Sequence, residues 1–182
     1  MNSPVIGLYA GSTRTLSLNR KLVFAMANLF QAAGAQTDII DLADYGMPIY
    51  NGDYEDAHGI PDATKSFIER LLSCQGVFIA TPEYNGGLPA LLKNTIDWSS
   101  RIGLDHFNTP VYGIGAATPG ALSGIMALRE LRFILARLGA EVVPTQLGVG
   151  RAVNAFTESG HFVEGQTKHM AQTLVSQMLA AL

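Results

Sequence analysis

Short apolar runs alternate with longer stretches of helical spacing along this chain, and that alternation restricts the fold more than any other feature. Val5-Ile6-Gly7-Leu8-Tyr9 reads as a first strand. Behind it Leu18, Leu22, Met26, Leu29 and Ala33 recur on one face at helical periodicity, and Gly34 supplies a stop. Asp38–Leu42 reads as a second strand, 63–74 as a helix, 76–80 as a third strand and 88–101 as a helix. Pro110–Ile114 follows as a fourth strand, 122–138 as a helix, and Val142-Val143 as the centre of a fifth strand. Residues 163–181 close the series with an amphipathic helix through Met170, Leu174, Met178 and Leu179. Strands that are apolar on both faces and joined by helices belong in a parallel sheet covered on both sides. The pattern therefore predicts one doubly wound α/β domain over residues 1–182, with a five-stranded parallel sheet and helices on both faces. Such sheets bind ligands beyond the carboxyl ends of their strands, where strand order reverses.

Composition narrows what the domain does. A chain of 182 residues, 48% of them hydrophobic, is long enough for one domain with a sizeable core and too short for two comfortable domains. Twelve Lys and Arg stand against 15 Asp and Glu, and neither sign is gathered into a block. That balance argues against a nucleic-acid surface or a polybasic membrane patch. Cys74 is the single cysteine, and His58, His106, His161 and His169 lack metal-ligand spacing, so neither a disulfide nor a metal site is expected. The opening MNSPVIGLYAGS has no charged n-region or apolar h-region, and no run of about 18 apolar residues occurs. No membrane association and a cytoplasmic location are the corresponding expectations. The longest stretch without periodicity, 43–62, carries Tyr45, Pro48, Tyr50, Tyr54 and several acids, and is a candidate binding or subunit-contact loop.

Two strand exits carry unusual chemistry. The first strand runs into Gly11-Ser12-Thr13-Arg14-Thr15-Leu16-Ser17-Leu18-Asn19. Hydroxyls, backbone amides beside a glycine, an arginine and a helix N-terminus together suit an anion. The plainer alternative has Ser17 capping the helix and Asn19 exposed. The stretch is neither a dinucleotide fingerprint nor a P-loop, since it lacks Gly-x-Gly-x-x-Gly and any Gly-Lys-Ser/Thr. The third strand runs into Thr81-Pro82-Glu83-Tyr84-Asn85-Gly86-Gly87, where proline stiffens the chain and the glycines permit close backbone approach.

Taken together, Gly11-Ser12-x-Arg14-x-x-Ser17-x-Asn19, Thr81-Pro82-Glu83-Tyr84-Asn85-Gly86-Gly87-x-Pro89 and Leu92-Lys93-Asn94-x-Ile96-Asp97-Trp98-x-Ser100-Arg101 closely resemble the NADPH-dependent FMN reductase family. The resemblance continues through Thr118-Pro119-Gly120-Ala121 and covers most of the chain. It implies a flavodoxin-like fold and an oxidoreductase that uses FMN, with NADPH or NADH as hydride donor. It also implies small-molecule acceptors such as quinones, free flavin, azo compounds or metal oxyanions, and a homodimer or homotetramer. Carried over residue by residue, Ser12, Arg14, Ser17 and Asn19 surround the FMN phosphate on this resemblance, and Leu18 among them binds the cofactor. Pro82, Glu83, Tyr84 and Asn85 border the isoalloxazine ring, and Ala117 and Thr118, within 116–120, close another side.

Hydride passes between nicotinamide and flavin in such enzymes, so the cofactor carries the chemistry and no catalytic side chain is assigned. Glu83 is the tempting general acid, but a ring-edge or structural hydrogen-bonding role is expected of it. Tyr84 packs near the flavin or meets a partner subunit on this reading, or is a half-buried loop tyrosine. In the 88–101 helix, Asn94, Asp97, Trp98 and Arg101 share a face, and Asp97 with Arg101 makes a candidate i,i+4 pair; the family resemblance implies that these residues serve loop support or a dimer surface. Cys74 reads as a small core residue. The chain departs from the family at Gly87, where many relatives have Ser or Ala, and at Ala90, where many have Gly. Where a Gly-Gly-x-Arg pattern is common, this chain has Ser123-Gly124-Ile125-Met126. The competing reading is a flavodoxin-like electron carrier that binds FMN without turning over pyridine nucleotide. The modest net charge of -3 and the presence of Arg14 weigh against it. A nonredox protein on the same fold has no positive signal.

Overall fold

Five strands form on the apolar runs, and all pair in parallel: β1 (Val5–Ala10), β2 (Gln36–Ile40), β3 (Gly76–Ala80), β4 (Val111–Ala117) and β5 (Glu141–Val149). The computed structural model describes residues 3–182. Strand order is β2-β1-β3-β4-β5, the flavodoxin-like order, and it reverses between β1 and β3. Seven α-helices are described: α1 (Leu18–Ala32), α2 (Gly52–His58), α3 (Asp62–Leu72), α4 (Ala90–Ser99), α5 (Asp105–Asn108), α6 (Ile125–Arg137) and α7 (Gln166–Ala180). Among the described residues no helix is long and apolar enough to cross a membrane.

The sheet separates two cores. On one face Leu22, Met26 and Phe30 of α1 and Leu174 and Met178 of α7 pack on Ile6, Leu8, Phe78 and Leu147. On the other, Phe67 and Leu71 of α3, Leu92 and Ile96 of α4 and Leu131 and Leu135 of α6 pack on Tyr9, Val77, Ile79, Tyr112 and Ile114. Alternate residues of one strand thus feed opposite cores, which is why the strands read as continuous apolar runs. Cys74 belongs to the second core and is 2% exposed; burial pushes its thiol pKa upward. β4 passes Phe78 on a side-chain-free surface: a Cβ on Gly115 would meet the Phe78 ring at 2.8 Å.

Both sheet edges are blunted by an arginine from the helix layer. At the β2 edge Arg70 donates through Nε and Nη2 to Asp38 at 2.7 and 2.5 Å, and through Nη2 to the Ile39 carbonyl at 3.1 Å. At the β5 edge Arg132 donates to the carbonyls of Val142, Val143 and Pro144 at 3.2, 2.6 and 3.3 Å. The β4–β5 register slips there, from Tyr112 opposite Val142 to Ile114 opposite Gln146. A bulge of this kind frees strand carbonyls, and the guanidinium gathers them, leaving less edge for another strand to pair with.

Several boundaries differ from the sequence expectations. The second strand starts and ends two residues earlier than Asp38–Leu42, because the Asp41 carboxylate accepts from Ala43 N at 3.0 Å and turns the chain into a 3₁₀ turn at Leu42–Asp44. The fourth strand runs on to Ala117, since Gly115, Ala116 and Ala117 pair with Leu147, Gly148 and Val149. α6 begins at Ile125 because Ser123 and Gly124 sit at φ 58° and 72°, which no helix continues. The 43–62 stretch contains α2, whose residues are all at least partly exposed, so no apolar period marks it. It is strapped onto α4: Trp98 Nε1 and Asn94 Nδ2 both donate to the Pro48 carbonyl, at 2.7 and 2.9 Å, and Tyr50 N donates to Asn94 Oδ1 at 2.8 Å. The shared face of 94, 98 and 101 is thereby loop support. The expected Asp97–Arg101 pair does not form. Asp97 instead binds Lys93 at 2.6 Å, one turn back, while Arg101 reaches across to Glu55 of α2 at 2.9 Å.

His106 in α5 is 1% exposed, lies against the Phe107 ring, and its Nε2 has no partner. Burial opposes its protonation and lowers its pKa from 6.5 to about 4. The unfolded chain takes up this proton near pH 6.5 and the folded chain only near pH 4, so acid favours unfolding across that window. Denaturant unfolding should therefore show about 2 kcal/mol less stability at pH 5 than at pH 7 from this group. His106→Gln should flatten that part of the profile.

Candidate active site

Three loops leave adjacent strands at one end of the sheet, beside the point where strand order reverses. Their first amides extend the ladder: Gly11 N donates to Ala80 O at 2.8 Å, Thr81 N to Gly115 O at 2.8 Å, and Thr118 N to Val149 O at 3.0 Å. The loop after β1 turns into α1 through Ser17, whose Oγ accepts from Asn19 N at 3.2 Å and Arg20 N at 3.4 Å. No acid lies in the first turn of α1, so its positive end is unneutralised from within the helix. Ser12 is nearly buried and its Oγ accepts from Arg14 N at 3.4 Å. Arg14 is exposed, and among the described residues its guanidinium has no ion-pair partner.

The capping alternative is thus half right. Ser17 is the cap, but Asn19 is 2% exposed. Its Nδ2 donates to Ala117 O at 3.0 Å and its Oδ1 accepts from Ala117 N at 2.8 Å, so one amide ties the start of α1 to the end of β4.

In the loop after β3, Tyr84 and Gly87 exchange both backbone hydrogen bonds at 3.1 Å, around Asn85 at φ 53° and Gly86 at φ 78°. Two central residues of positive φ define a type I′ turn, which Asn-Gly adopts at least cost. Glu83 Oε2 accepts from Met126 N at 2.9 Å and Ala127 N at 3.1 Å, in the first turn of α6. Glu130, on α6, returns the contact: its Oε2 accepts from Leu88 N at 2.8 Å.

These loops bound a cleft of about 180 Å³. Ser12, Arg14, Ser17, Leu18 and Asn19 line it from the first loop, Pro82, Glu83 and Tyr84 from the second, and Ala117 and Thr118 from the third. Of the residues singled out from sequence only Asn85 is not on the wall; it shapes the turn instead. Pro119, within the expected 116–120 segment, also lines the cleft, as does Leu16, which was not singled out. Leu16 sits at an unspecified position inside the first motif, where nothing but its neighbours marks it. The donor set suits FMN. One end offers hydroxyls, helix amides and a free guanidinium for a phosphate dianion, and the other offers Pro82 and turn backbone for a flat heteroaromatic ring.

The sequence profile described as NADPH-dependent FMN reductase matches residues 4–154. The chain is 31% identical over 179 residues to the NAD(P)H-dependent FMN reductase of Pseudomonas aeruginosa, covering 98% of this chain and 92% of that one. It is 30% identical over 174 residues to a quinone reductase of Pseudomonas putida, covering 94% and 91%. In structure it is similar to FerB, a flavoenzyme NAD(P)H:(acceptor) oxidoreductase from Paracoccus denitrificans, with a TM-score of 0.82 at 23% identity over 97% of this chain and 96% of that one. On the profile match and these relatives, the chain belongs to the NADPH-dependent FMN reductase family and is an NAD(P)H-dependent oxidoreductase with FMN as its cofactor.

Proposed function

We propose that this chain, as a single domain, draws reducing equivalents from NADPH or NADH and passes them in a ping-pong sequence to a small acceptor: a quinone, free flavin, an azo compound or a metal oxyanion. The observation that carries the reading is the convergence of three strand-exit loops on one cleft with an unpaired arginine and a helix start that has no acid in its first turn at one side. FMN, when bound, supplies the hydride and electron chemistry. The protein's part is binding and orientation. Ser12, Arg14 and the α1 amides hold the phosphate, and Ser17 keeps those amides in place. Pro82, Tyr84 and the Asn85-Gly86 turn border the ring, with Ala117 and Thr118 opposite. Glu83 donates no proton on this reading, since its carboxylate is already occupied by two backbone N–H groups.

Quinones are favoured among acceptors because one relative of similar length is named a quinone reductase. A homodimer, or a homotetramer built from it, is favoured by the outer face of α6 and the turn before it. There Leu122, Ile125, Met126 and Phe133 are all exposed, an apolar stripe that water leaves costly. A cytoplasmic setting accompanies this reading. The test is to purify the protein, record bound or reconstituted FMN by absorbance, and follow NADPH and NADH oxidation with and without a quinone, measuring mass by light scattering on the same sample. Steady oxidation that rises with quinone, with intersecting patterns absent from initial-rate plots, is expected. Failure to take up FMN overturns the reading, and FMN uptake without nucleotide oxidation makes the protein a carrier.

A further inference from the structure

We infer that Glu83 and Glu130 are positioning residues that work as one clasp, setting the shape of the 82–87 loop, and that Gly87 is small to admit it. The inference rests on the FMN reading of the cleft, and it assigns a specific device to that site.

α6 begins without a cap of its own. Its N-cap position is Gly124, which is left-handed and contributes no side-chain hydrogen bond. Met126 and Ala127 N–H groups would otherwise lack acceptors at the start of the helix. Glu83 satisfies both from 43 and 44 positions away, placing its negative charge at the positive end of the helix. Four residues on from Met126, and so on the same face, Glu130 accepts from Leu88 N just beyond the turn. One carboxylate reaches from loop to helix and the other from helix to loop, on either side of the Tyr84–Gly87 turn. Neither carboxylate is paired with a cation among the described residues, so both are committed to holding backbone.

The space is close-fitted. A Cβ on Gly87 would lie 3.1 Å from Glu130 Oε2, tighter than an ordinary van der Waals contact, so the carboxylate would have to shift by a few tenths of an ångström from its place on Leu88. Gly87 has no positive φ, so left-handed backbone does not explain the glycine here. The same clasp joins the loop after β3, one wall of the cleft, to the start of α6.

The experiment compares Glu83→Ala, Glu83→Gln, Glu130→Ala, Gly87→Ala and the double alanine variant. Amide hydrogen exchange is read at Met126, Ala127 and Leu88 in the FMN-free protein, and FMN affinity by fluorescence titration. Loss of either carboxylate should speed exchange at all three amides by about five- to tenfold, the size of a lost cap. FMN binding should weaken about tenfold in each single alanine variant and scarcely further in the double variant, because both changes release one loop. Gly87→Ala should move both readouts in the same direction as Glu130→Ala while leaving the Glu130 charge in place. Glu83→Gln keeps an oxygen acceptor and should restore most of the affinity. Exchange confined to each residue's own partner, or single losses that multiply in the double variant, would overturn the clasp. A Glu83→Gln variant as impaired as Glu83→Ala would overturn it too. If the wild-type protein fails to bind FMN, the functional reading falls, while the exchange measurements still decide whether the clasp exists.

Discussion

Arg14→Ala should weaken FMN binding by about 10- to 100-fold, the effect of removing a charged hydrogen-bond donor from a phosphate. The folded protein should hardly notice. Arg14 is exposed, and among the described residues it makes no ion pair, so unfolding of the FMN-free protein should shift by no more than about 0.5 kcal/mol. Arg14→Lys should recover part of the affinity, because it restores the charge without the planar fork that meets two phosphate oxygens at once. Flavin fluorescence titration beside thermal melts of the FMN-free protein separates the two quantities. Equal affinity in wild type and Arg14→Ala would remove Arg14 from the phosphate site.

Asn19→Leu is the opposite case, where stability and binding fall together. Leucine is of similar size, but it leaves both Ala117 N–H and Ala117 C=O without the partners they have at 2.8 and 3.0 Å. The site is 2% exposed at Asn19 and 3% at Ala117, so water does not readily replace them. Unmet buried polar groups of this kind cost about 2–4 kcal/mol together. Chemical denaturation should show a loss of that size with an unchanged m-value. FMN affinity should also fall, since the amide is the tie that sets the start of α1 against the end of β4 across the cleft. A variant that binds FMN weakly with full stability would instead make Asn19 a direct phosphate ligand.

The difference between these two residues shows how far sequence reading reaches. Arg14 and Asn19 stand five positions apart in one motif, and both were assigned to the phosphate by resemblance. A side chain at a strand exit is legible as a ligand candidate because its neighbours are hydroxyls, glycine and a helix start. That Asn19 turns inward to Ala117, 98 positions away, is not legible, because no local pattern encodes a partner at that separation. The same limit explains Asp97 and Arg101. Their spacing permits a helical pair, but Lys93 and Glu55 compete for them, and only folding brings Glu55 of α2 within reach. α2 itself left no periodic signal, since it buries no residue and is held by Asn51 at its start and by α4 beside it.

By itself the sequence determined the class of fold and the end of the sheet where the candidate cleft lies. Apolar runs with helical crossovers have one economical packing, and Gly-Ser-x-Arg and Pro-Glu-Tyr-Asn-Gly-Gly at two strand exits mark where it opens. The Asn-Gly pair even specified its turn, because positive φ at two successive residues is a local steric matter. The tertiary structure alone decided what the polar side chains of those loops do. Glu83 caps a helix, Asn19 braces a strand and Glu130 holds the far side of a turn, leaving Arg14 free to face an anion. Backbone groups at helix starts and strand ends must find partners once buried, and which side chain reaches them is settled by proximity in space.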